Sequence, residues 1–350
     1  MIKKEEIAIG SAFLVGGQII QAVVGFGVNL VLVRYLAPEE FGRFAIILAG
    51  AALVYSILSL RTETMVIRVS VDQLTDGAKD RYFGAALIET VLATSVICIW
   101  MMVTSSSGNW EIGLVLAIGL RHWMFQNKAF FERTMPYRKL ALIETLVATA
   151  SHFVALGLVL CGVGWSVLFI REIFLSIAGL LGIWAIGGLS LRKFKFPSLA
   201  DWQLLFNEAR GMWLDAALEN GLARLTILFV GLLGGDRAAG FFFQALRLAN
   251  LPNQVLSPIV SRVAGTWFGR TENRTIRRKG RDKLLLVIAA PLALGSGLTL
   301  AFADPVIPWM FGAEWARTAE LIIGLSDFVF YLSLFEVLKY YCWFARHMRW

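Results

Sequence analysis

The sequence predicts an all-α, polytopic transmembrane helix bundle, and three observations lead to that fold class. The 350 residues have a mean hydropathy of +0.67 and are 57% apolar, which exceeds what a water-soluble domain can bury. The apolar residues fall in runs long enough to cross roughly 30 Å of hydrocarbon. No run alternates between apolar and polar residues as barrel strands do, so the spans are predicted to be helices, which satisfy their own backbone hydrogen bonds.

Ten apolar segments are predicted to span the membrane, and the basic tail that follows them is either the start of an eleventh span or an interfacial helix. The first is longer than a signal-peptide core and is expected to be retained. In chain order the segments are 7–33, 44–60, 83–104, 112–127, 141–163, 165–190, 211–234, 238–261, 284–303 and 318–335, with the tail at 339–350.

Basic residues are concentrated in every second gap between these segments. The N-terminus and the gaps at 61–82, 128–140, 191–210 and 262–283 hold 22 of the 33 Lys and Arg residues, whereas the intervening gaps hold 4. Because cytoplasmic loops carry the excess of Lys and Arg, the N-terminus is predicted to be cytoplasmic. The charge of +8 is thereby accounted for by topology, with anionic lipids as its partner and no nucleic acid.

Two lobes are predicted, a six-helix lobe at residues 1–198 and a second lobe at 199–350. The turn around Gly42 resembles the turn around Gly240 at an offset of 198, and a repeat with an even number of helices gives parallel halves, as in some secondary transporters. At that offset the fifth and sixth helices of the first lobe map to about residues 339–388, whereas the sequence ends at Trp350. We therefore expect the second lobe to be incomplete, with four spans and the basic tail.

A shorter repeat places a carboxylate in each of two helices. The motif Ala-Leu-Ile-Glu-Thr occurs at 86–90 and again at 141–145, so Glu89 and Glu144 are predicted to lie at similar depth near the cytoplasmic face. They are candidates for ion coupling. The alternative is that both occupy a first helical turn, where the helix dipole favours acidic residues.

Seven basic residues remain once the loop pattern is accounted for: Arg121, Arg171, Arg224, Arg247, Lys339, Arg346 and Arg349. Of these, Arg224 and Arg247 lie deepest in a predicted span, where an ionisable group is costly without a wet cavity or a partner. Guanidinium groups suit bidentate recognition of phosphate, so both are predicted to bind an anionic headgroup such as pyrophosphate. The alternative is an ion pair with Asp215 or Glu219.

Further charged candidates lie nearer the membrane surfaces. Arg61, Thr64 and Arg68 would form one stripe at the inner end of the second span, and Arg121 lies about two turns from the inner end of the fourth. These arginines either contact the substrate or extend to the headgroups. Asp215 and Glu219, at i and i+4, would favour retaining one proton and are candidates for ion coupling.

A polar stripe runs along the first segment and consists of Ser11, Gln18, Gln21, Gly25 and Asn29. It lines a substrate route or forms a helix–helix seam of small and amide residues. Gln18, Gln21 and Asn29, together with Gln244 of the eighth segment, are the cavity-lining candidates.

No catalytic or cofactor motif accompanies these residues. The sequence contains no phosphate-cradling Gly-x-x-x-x-Gly-Lys-Ser/Thr motif and no His-Glu-x-x-His motif, so nucleotide hydrolysis and zinc chemistry are not expected. The outer loops are too short for a membrane-embedded glycosyltransferase or polymerase. We predict a protein that is not an enzyme and has no metal or cofactor.

Four stretches carry a family resemblance: Gly10-Ser11, residues 32–44, residues 240–248 and residues 311–315. Together they resemble the polysaccharide transporter, or O-antigen flippase, branch of the multidrug/oligosaccharidyl-lipid/polysaccharide exporter superfamily. The resemblance implies a two-lobed transporter that uses alternating access to move polyprenyl-pyrophosphate-linked oligosaccharides across the cytoplasmic membrane in O-antigen, capsule or exopolysaccharide synthesis. It also implies that Arg247 and Arg224 bind the pyrophosphate.

The turn motif of the family contains Arg34, Gly42 and Gly240, for which we expect a structural or gating role. Other polysaccharide assembly proteins of the membrane would be partners. The alternatives are an ion-coupled exporter of drugs or small molecules from the same superfamily, and an inactive, truncated relative. A drug exporter would prefer cationic substrates and would have acidic cavity walls.

Overall fold

The computed structural model describes residues 4–69, 74–103, 108–132, 137–189, 195–251, 268 and 273–344, and every regular element in these ranges is a helix. The all-α prediction is confirmed. The elements are α1 (Lys4–Tyr35), α2 (Pro38–Leu58), α3 (Thr62–Arg68), α4 (Asp76–Val103), α5 (Asn109–Glu132), α6 (Tyr137–Leu160), α7 (Ser166–Ala185), α8 (Leu199–Ala249), α9 (Arg274–Phe311), a 3₁₀ turn (Ala313–Trp315) and α10 (Ala316–Phe344).

Eight helical stretches in the described part of the chain are long and apolar enough to cross a membrane. Large apolar side chains are exposed along them, including Leu233, Leu232 and Trp309 at 84%, 78% and 77%. Apolar surface on this scale is typical of contact with lipid rather than water. The helix α5, which carries the predicted span 112–127, is not among the eight. The count of ten spans and the cytoplasmic N-terminus stay predictions.

Two turns separate helices as the sequence indicates. Pro38 is the first residue of α2, where its fixed φ and missing N–H are harmless, and Glu39 and Glu40 follow in the first turn, where the dipole favours them. At Gly235 the backbone of α8 leaves the helical conformation, with φ 75° and ψ −179°, a combination open only to glycine. This kink falls between the predicted segments 211–234 and 238–261.

Several helices extend beyond the apolar segments that predicted them, among them α9, which covers Arg274–Phe311 rather than 284–303. The helix α4 begins at Asp76 rather than near residue 83, α8 begins at Leu199 rather than near 211, and α10 continues to Phe344. Hydropathy marks only the part of a helix that is apolar, so amphipathic ends escape it. In α10 the first tail residues, 339–344, continue the tenth span; residues 345–350 lie outside the described residues.

The start of α8 is fixed by a reciprocal cap. The backbone N–H and hydroxyl of Ser198 both donate to Asp201 Oδ2, at 2.9 and 2.8 Å, and the Asp201 N–H donates to the Ser198 hydroxyl at 3.2 Å. Arg81 of α4 donates to Asp201 Oδ1 at 3.0 Å. The backbone N–H of Ser198, and then Arg81, hold the pKa of the Asp201 carboxyl below its ordinary value.

The chain packs as two compact units, which we call unit 1 (residues 1–38 and 240–350) and unit 2 (residues 39–239). The predicted boundary at 198/199 falls inside unit 2. The assignment of lobes to residues 1–198 and 199–350 therefore stays a prediction.

One part of the core of unit 1 contains Trp315, which is fully buried. Its ring packs edge-on against Phe241 and Phe311, with centroids 5.8 and 6.1 Å apart. Its indole N–H donates to the Val33 carbonyl of α1 at 2.9 Å. Arg34 also ties α1 to the end of α9, donating to the carbonyls of residues 309 and 310 at 2.7 and 2.9 Å. These bonds satisfy carbonyls at a helix C-terminus.

The core of unit 2 contains one cluster in which α3, α4, α5 and α8 meet. Met65 and Val66 of α3 are buried with Tyr82 and Ala85 of α4 and with Ala209 in the first part of α8. Each of these helices therefore has a fixed face toward the others, which positions the charged groups described below.

Candidate functional site

Arg247 is held in a polar cluster between α1 and α8 in unit 1. Its Nη1 donates to Asn29 Oδ1 at 2.5 Å, and its Nη2 lies 3.5 Å from the Gly25 carbonyl. Gln244, one turn earlier, is fully buried and accepts from Asn29 Nδ2 at 3.1 Å. The sequence left open whether the stripe on α1 was a route or a seam. At its Gly25–Asn29 end, the stripe is a seam.

The other members of the stripe and the turn glycines lie elsewhere on α1, α2 and α8. Gln18 and Gln21 are half-buried, and the side chain of Ser11 lies outside the described ones. The turn glycines Gly42 and Gly240 are both buried, near the start of α2 and just after the kink in α8. The resemblance between the two turns thus corresponds to a similar position along a helix.

Arg121 belongs to an ion-pair network between α5 and α7. Its Nη1 lies 2.9 Å from Glu172 Oε2, and the other oxygen of this carboxylate lies 2.7 Å from Arg171 Nη2. The side chains are mostly buried. The hypothesis that Arg121 extends to the headgroups is wrong, and the carboxylate of Glu172 that pairs with Arg171 is shared with Arg121. Two guanidinium groups share one carboxylate, which leaves a net positive charge.

Arg224 differs from Arg121 in having no described partner. It lies in the interior of α8, in the stretch Gly221–Ala249 that is apolar enough to span a membrane, and it is half-buried. It makes no hydrogen bond or ion pair with any side chain that the structure describes. Among the side chains that the structure describes, the neighbouring charge that acts on it is the like charge of Arg121, whose own counter-ion is already shared.

The alternative partners of Arg224 on the same helix, Asp215 and Glu219, have side chains outside the described ones. The predicted ion pair with either of them therefore stays a prediction. Within the described part of unit 2, Arg224 adds a further guanidinium to a region where positive charge is already in excess.

The stripe predicted for Arg61, Thr64 and Arg68 does not form. Arg61 precedes α3 with φ 58° and ψ 41°, a left-handed conformation, so helical spacing does not relate it to Thr64. Arg61 Nη1 lies 3.6 Å from Glu63 Oε1. The Arg68 side chain lies outside the described ones. The prediction is wrong because one helix ends at Leu58 and a new one begins at Thr62.

Glu89 and Glu144 differ in their surroundings despite the shared motif. Neither lies in a first helical turn, since α4 begins at Asp76 and α6 at Tyr137, so the helix-dipole alternative is wrong for both. Glu144 Oε1 lies 2.5 Å from Lys128 Nζ, which also contacts Glu132 at 3.3 Å. Glu89 instead accepts from the backbone N–H of Leu60 at 3.2 Å and lies 3.9 Å from His122 Nε2.

Two functional candidates were missed by the sequence reasoning. Neither Glu172 nor His122 was predicted to bind substrate or to couple ions. Each contacts a residue of another helix that is distant in the sequence. Local spacing carries no signal for such contacts. A charged residue inside an apolar segment was the only available indication.

Two relatives are similar to this chain over different lengths. It is 26% identical to the Rhizobium meliloti succinoglycan biosynthesis transport protein ExoT, over 89% of this chain and 64% of that protein. It is 26% identical to the Saccharomyces cerevisiae Man(5)GlcNAc(2)-PP-dolichol translocation protein RFT1, over 38% of this chain and 22% of that protein. The chain therefore spans less than two thirds of either relative.

Solved structures show a similar fold. An inward-facing multidrug resistance MATE family transporter of the MOP superfamily aligns with a TM-score of 0.58 and 12% identity, over 93% of this chain and 83% of that one. A MATE protein in its bent conformation aligns with a TM-score of 0.51 and 14% identity, over 98% and 82%. At these identities the likeness concerns the fold alone.

The resemblance noted in the sequence is confirmed by a match to a whole family. The sequence model described as "Polysaccharide biosynthesis protein" matches residues 31–320, which is most of the chain. The chain belongs to this polysaccharide biosynthesis protein family.

Proposed function

We propose that this protein moves a polyprenyl-pyrophosphate-linked oligosaccharide across the cytoplasmic membrane during polysaccharide synthesis, by alternating access. Membership of the polysaccharide biosynthesis family supports this, as do the names of two relatives, one a translocation protein for a PP-dolichol sugar and one a succinoglycan transport protein. The protein acts as a transporter rather than as an enzyme.

The observation that carries the proposal is the excess of guanidinium groups inside unit 2. Arg121 and Arg171 share the single carboxylate of Glu172, and Arg224 lies under the influence of Arg121 without a described counter-ion. A buried positive charge is costly unless it is neutralised. A pyrophosphate headgroup supplies that negative charge and accepts bidentate hydrogen bonds from arginine.

In this proposal Arg224 is the principal pyrophosphate-binding residue. Arg121 contributes mainly through its charge, because its guanidinium already binds Glu172. Arg247 contributes less to binding because Asn29 and the Gly25 carbonyl already accept its hydrogen bonds. Asp215 and Glu219 remain candidates for ion coupling or for pairing with Arg224.

The substrate class is tested by transport into proteoliposomes. The purified chain should translocate a fluorescent polyprenyl-pyrophosphate oligosaccharide, and the same lipid without its pyrophosphate is the matched control substrate. We expect transport of the first and little of the second, with no inhibition by an excess of an organic cation. Equal transport of both lipids, or competition by the organic cation, would favour a drug exporter and contradict the proposal.

A further inference from the structure

A buried carboxylate lies beside a break between two helices of unit 2. Glu89 is in the middle of α4 and only 3% exposed. Its Oε1 accepts from the N–H of Leu60, which lies between the end of α2 at Leu58 and the start of α3 at Thr62. Its Oε2 is buried and has no hydrogen-bond partner in the described part of the chain. Such an atom needs an explanation, because an unsatisfied buried oxygen is costly.

His122 of α5 lies beside that oxygen and can become cationic. Its Nε2 lies 3.9 Å from Glu89 Oε2, too far for a hydrogen bond but close enough for an ion pair. The imidazole packs against the Tyr55 ring, with centroids 4.8 Å apart. Because an imidazole is cationic only when it is protonated, its attraction for Glu89 depends on a proton.

Other described charged and titratable groups also lie near this pair. Glu63 of α3 acts electrostatically on Glu89, but Glu63 is itself 3.6 Å from Arg61. Tyr55 of α2 shares a hydrogen bond of 2.8 Å with Thr94 and is uncharged near neutral pH. Among the described groups of α2, α3, α4 and α5 around Glu89, His122 is therefore the one whose charge can change to match it.

The second copy of the motif provides an internal comparison. Glu144 has the same preceding sequence as Glu89, but its partner is Lys128, an amine whose ordinary pKa is far above neutral. A lysine neutralises a carboxylate permanently, whereas a histidine does so only after taking up a proton. The two carboxylates therefore differ in their response to protons even though their local sequences agree.

We propose that Glu89 and His122 form a proton-binding site that takes up and releases one proton. The proton comes from water and is bound by a lone pair of Glu89 Oε2, so that the loaded carboxyl group is neutral. Release returns the proton to water and leaves a carboxylate held by the Leu60 N–H. Binding or release of the proton thereby changes the charge that faces the Leu60 N–H, which lies in the break between α2 and α3.

This site extends the proposed function by naming the coupling ion, and it rests on that function only for the coupling step. Proton binding itself is measurable without transport. Infrared difference spectra of the purified chain between acidic and alkaline pH should contain a protonated-carboxyl band that Glu89→Gln removes. Glu144→Gln, the matched control, should retain it.

Two further results decide the proposal. His122→Gln should move the pH midpoint of the band by about one unit, a roughly tenfold change in proton affinity. Glu89→Asp, which keeps a carboxyl group, should retain a band with a changed midpoint and serves if Glu89→Gln fails to fold. An unchanged band in Glu89→Gln, or an unchanged midpoint in His122→Gln, would overturn the proposal. If the wild-type chain has the band but does not transport the lipid-linked oligosaccharide, that result would instead count against the proposed function.

Discussion

The two arginines that lie deepest in predicted spans have opposite surroundings. Arg247, in unit 1, donates to Asn29 and lies beside the Gly25 carbonyl and the buried Gln244. Arg224, in unit 2, has no described counter-ion and is subject to the positive charge of Arg121. From the sequence, both were predicted to bind an anionic headgroup, because both are isolated charges in apolar segments.

The depth of an arginine in a predicted span does not by itself identify a ligand-binding charge. A guanidinium whose donors are already occupied by neutral acceptors contributes to packing between helices. One that has a like charge nearby and no described counter-ion gains most from an incoming anion. We therefore propose a structural role for Arg247 and anion binding for Arg224.

The largest expected effect comes from removing the shared carboxylate of unit 2. Glu172→Gln leaves Arg121 and Arg171 without a counter-ion and should destabilise the protein by roughly 3–5 kcal/mol. Thermal unfolding in detergent measures the loss. Added inorganic pyrophosphate should raise the melting temperature of this variant more than that of the wild type. An equal rise in the two proteins would contradict a cationic anion-binding region.

A smaller effect is expected in unit 1. Asn29→Leu removes the acceptor of Arg247 and the partner of Gln244, and should destabilise the protein by about 1–3 kcal/mol, as expected when buried polar groups lose their partners. The same thermal measurement applies, but pyrophosphate should raise the melting temperature of this variant no more than that of the wild type. Recovery as large as that of Glu172→Gln would show that the two regions do not differ in the way proposed.

The helices could be predicted from sequence because a spanning segment must be apolar over most of its length. The turn at Pro38 and the kink at Gly235 followed from residues with restricted or permissive backbones. The start of α4 at Asp76 could not be predicted, since its first turns are polar. The pairing of α5 with α7 through Glu172, and of α5 with α4 through Glu89, depends on how helices pack, which local spacing does not encode.

The central claim is tested most directly by titrating inorganic pyrophosphate into the purified wild type and three alanine variants of Arg224, Arg247 and Arg237. Arg237 is the matched control, because it is exposed and pairs with Glu39 at the surface. We predict that Arg224→Ala weakens binding about 10- to 150-fold, corresponding to a charged hydrogen bond of about 1.5–3 kcal/mol, whereas Arg247→Ala and Arg237→Ala stay near the wild type. Equal weakening in Arg224→Ala and Arg237→Ala, or a larger loss in Arg247→Ala, would contradict the account.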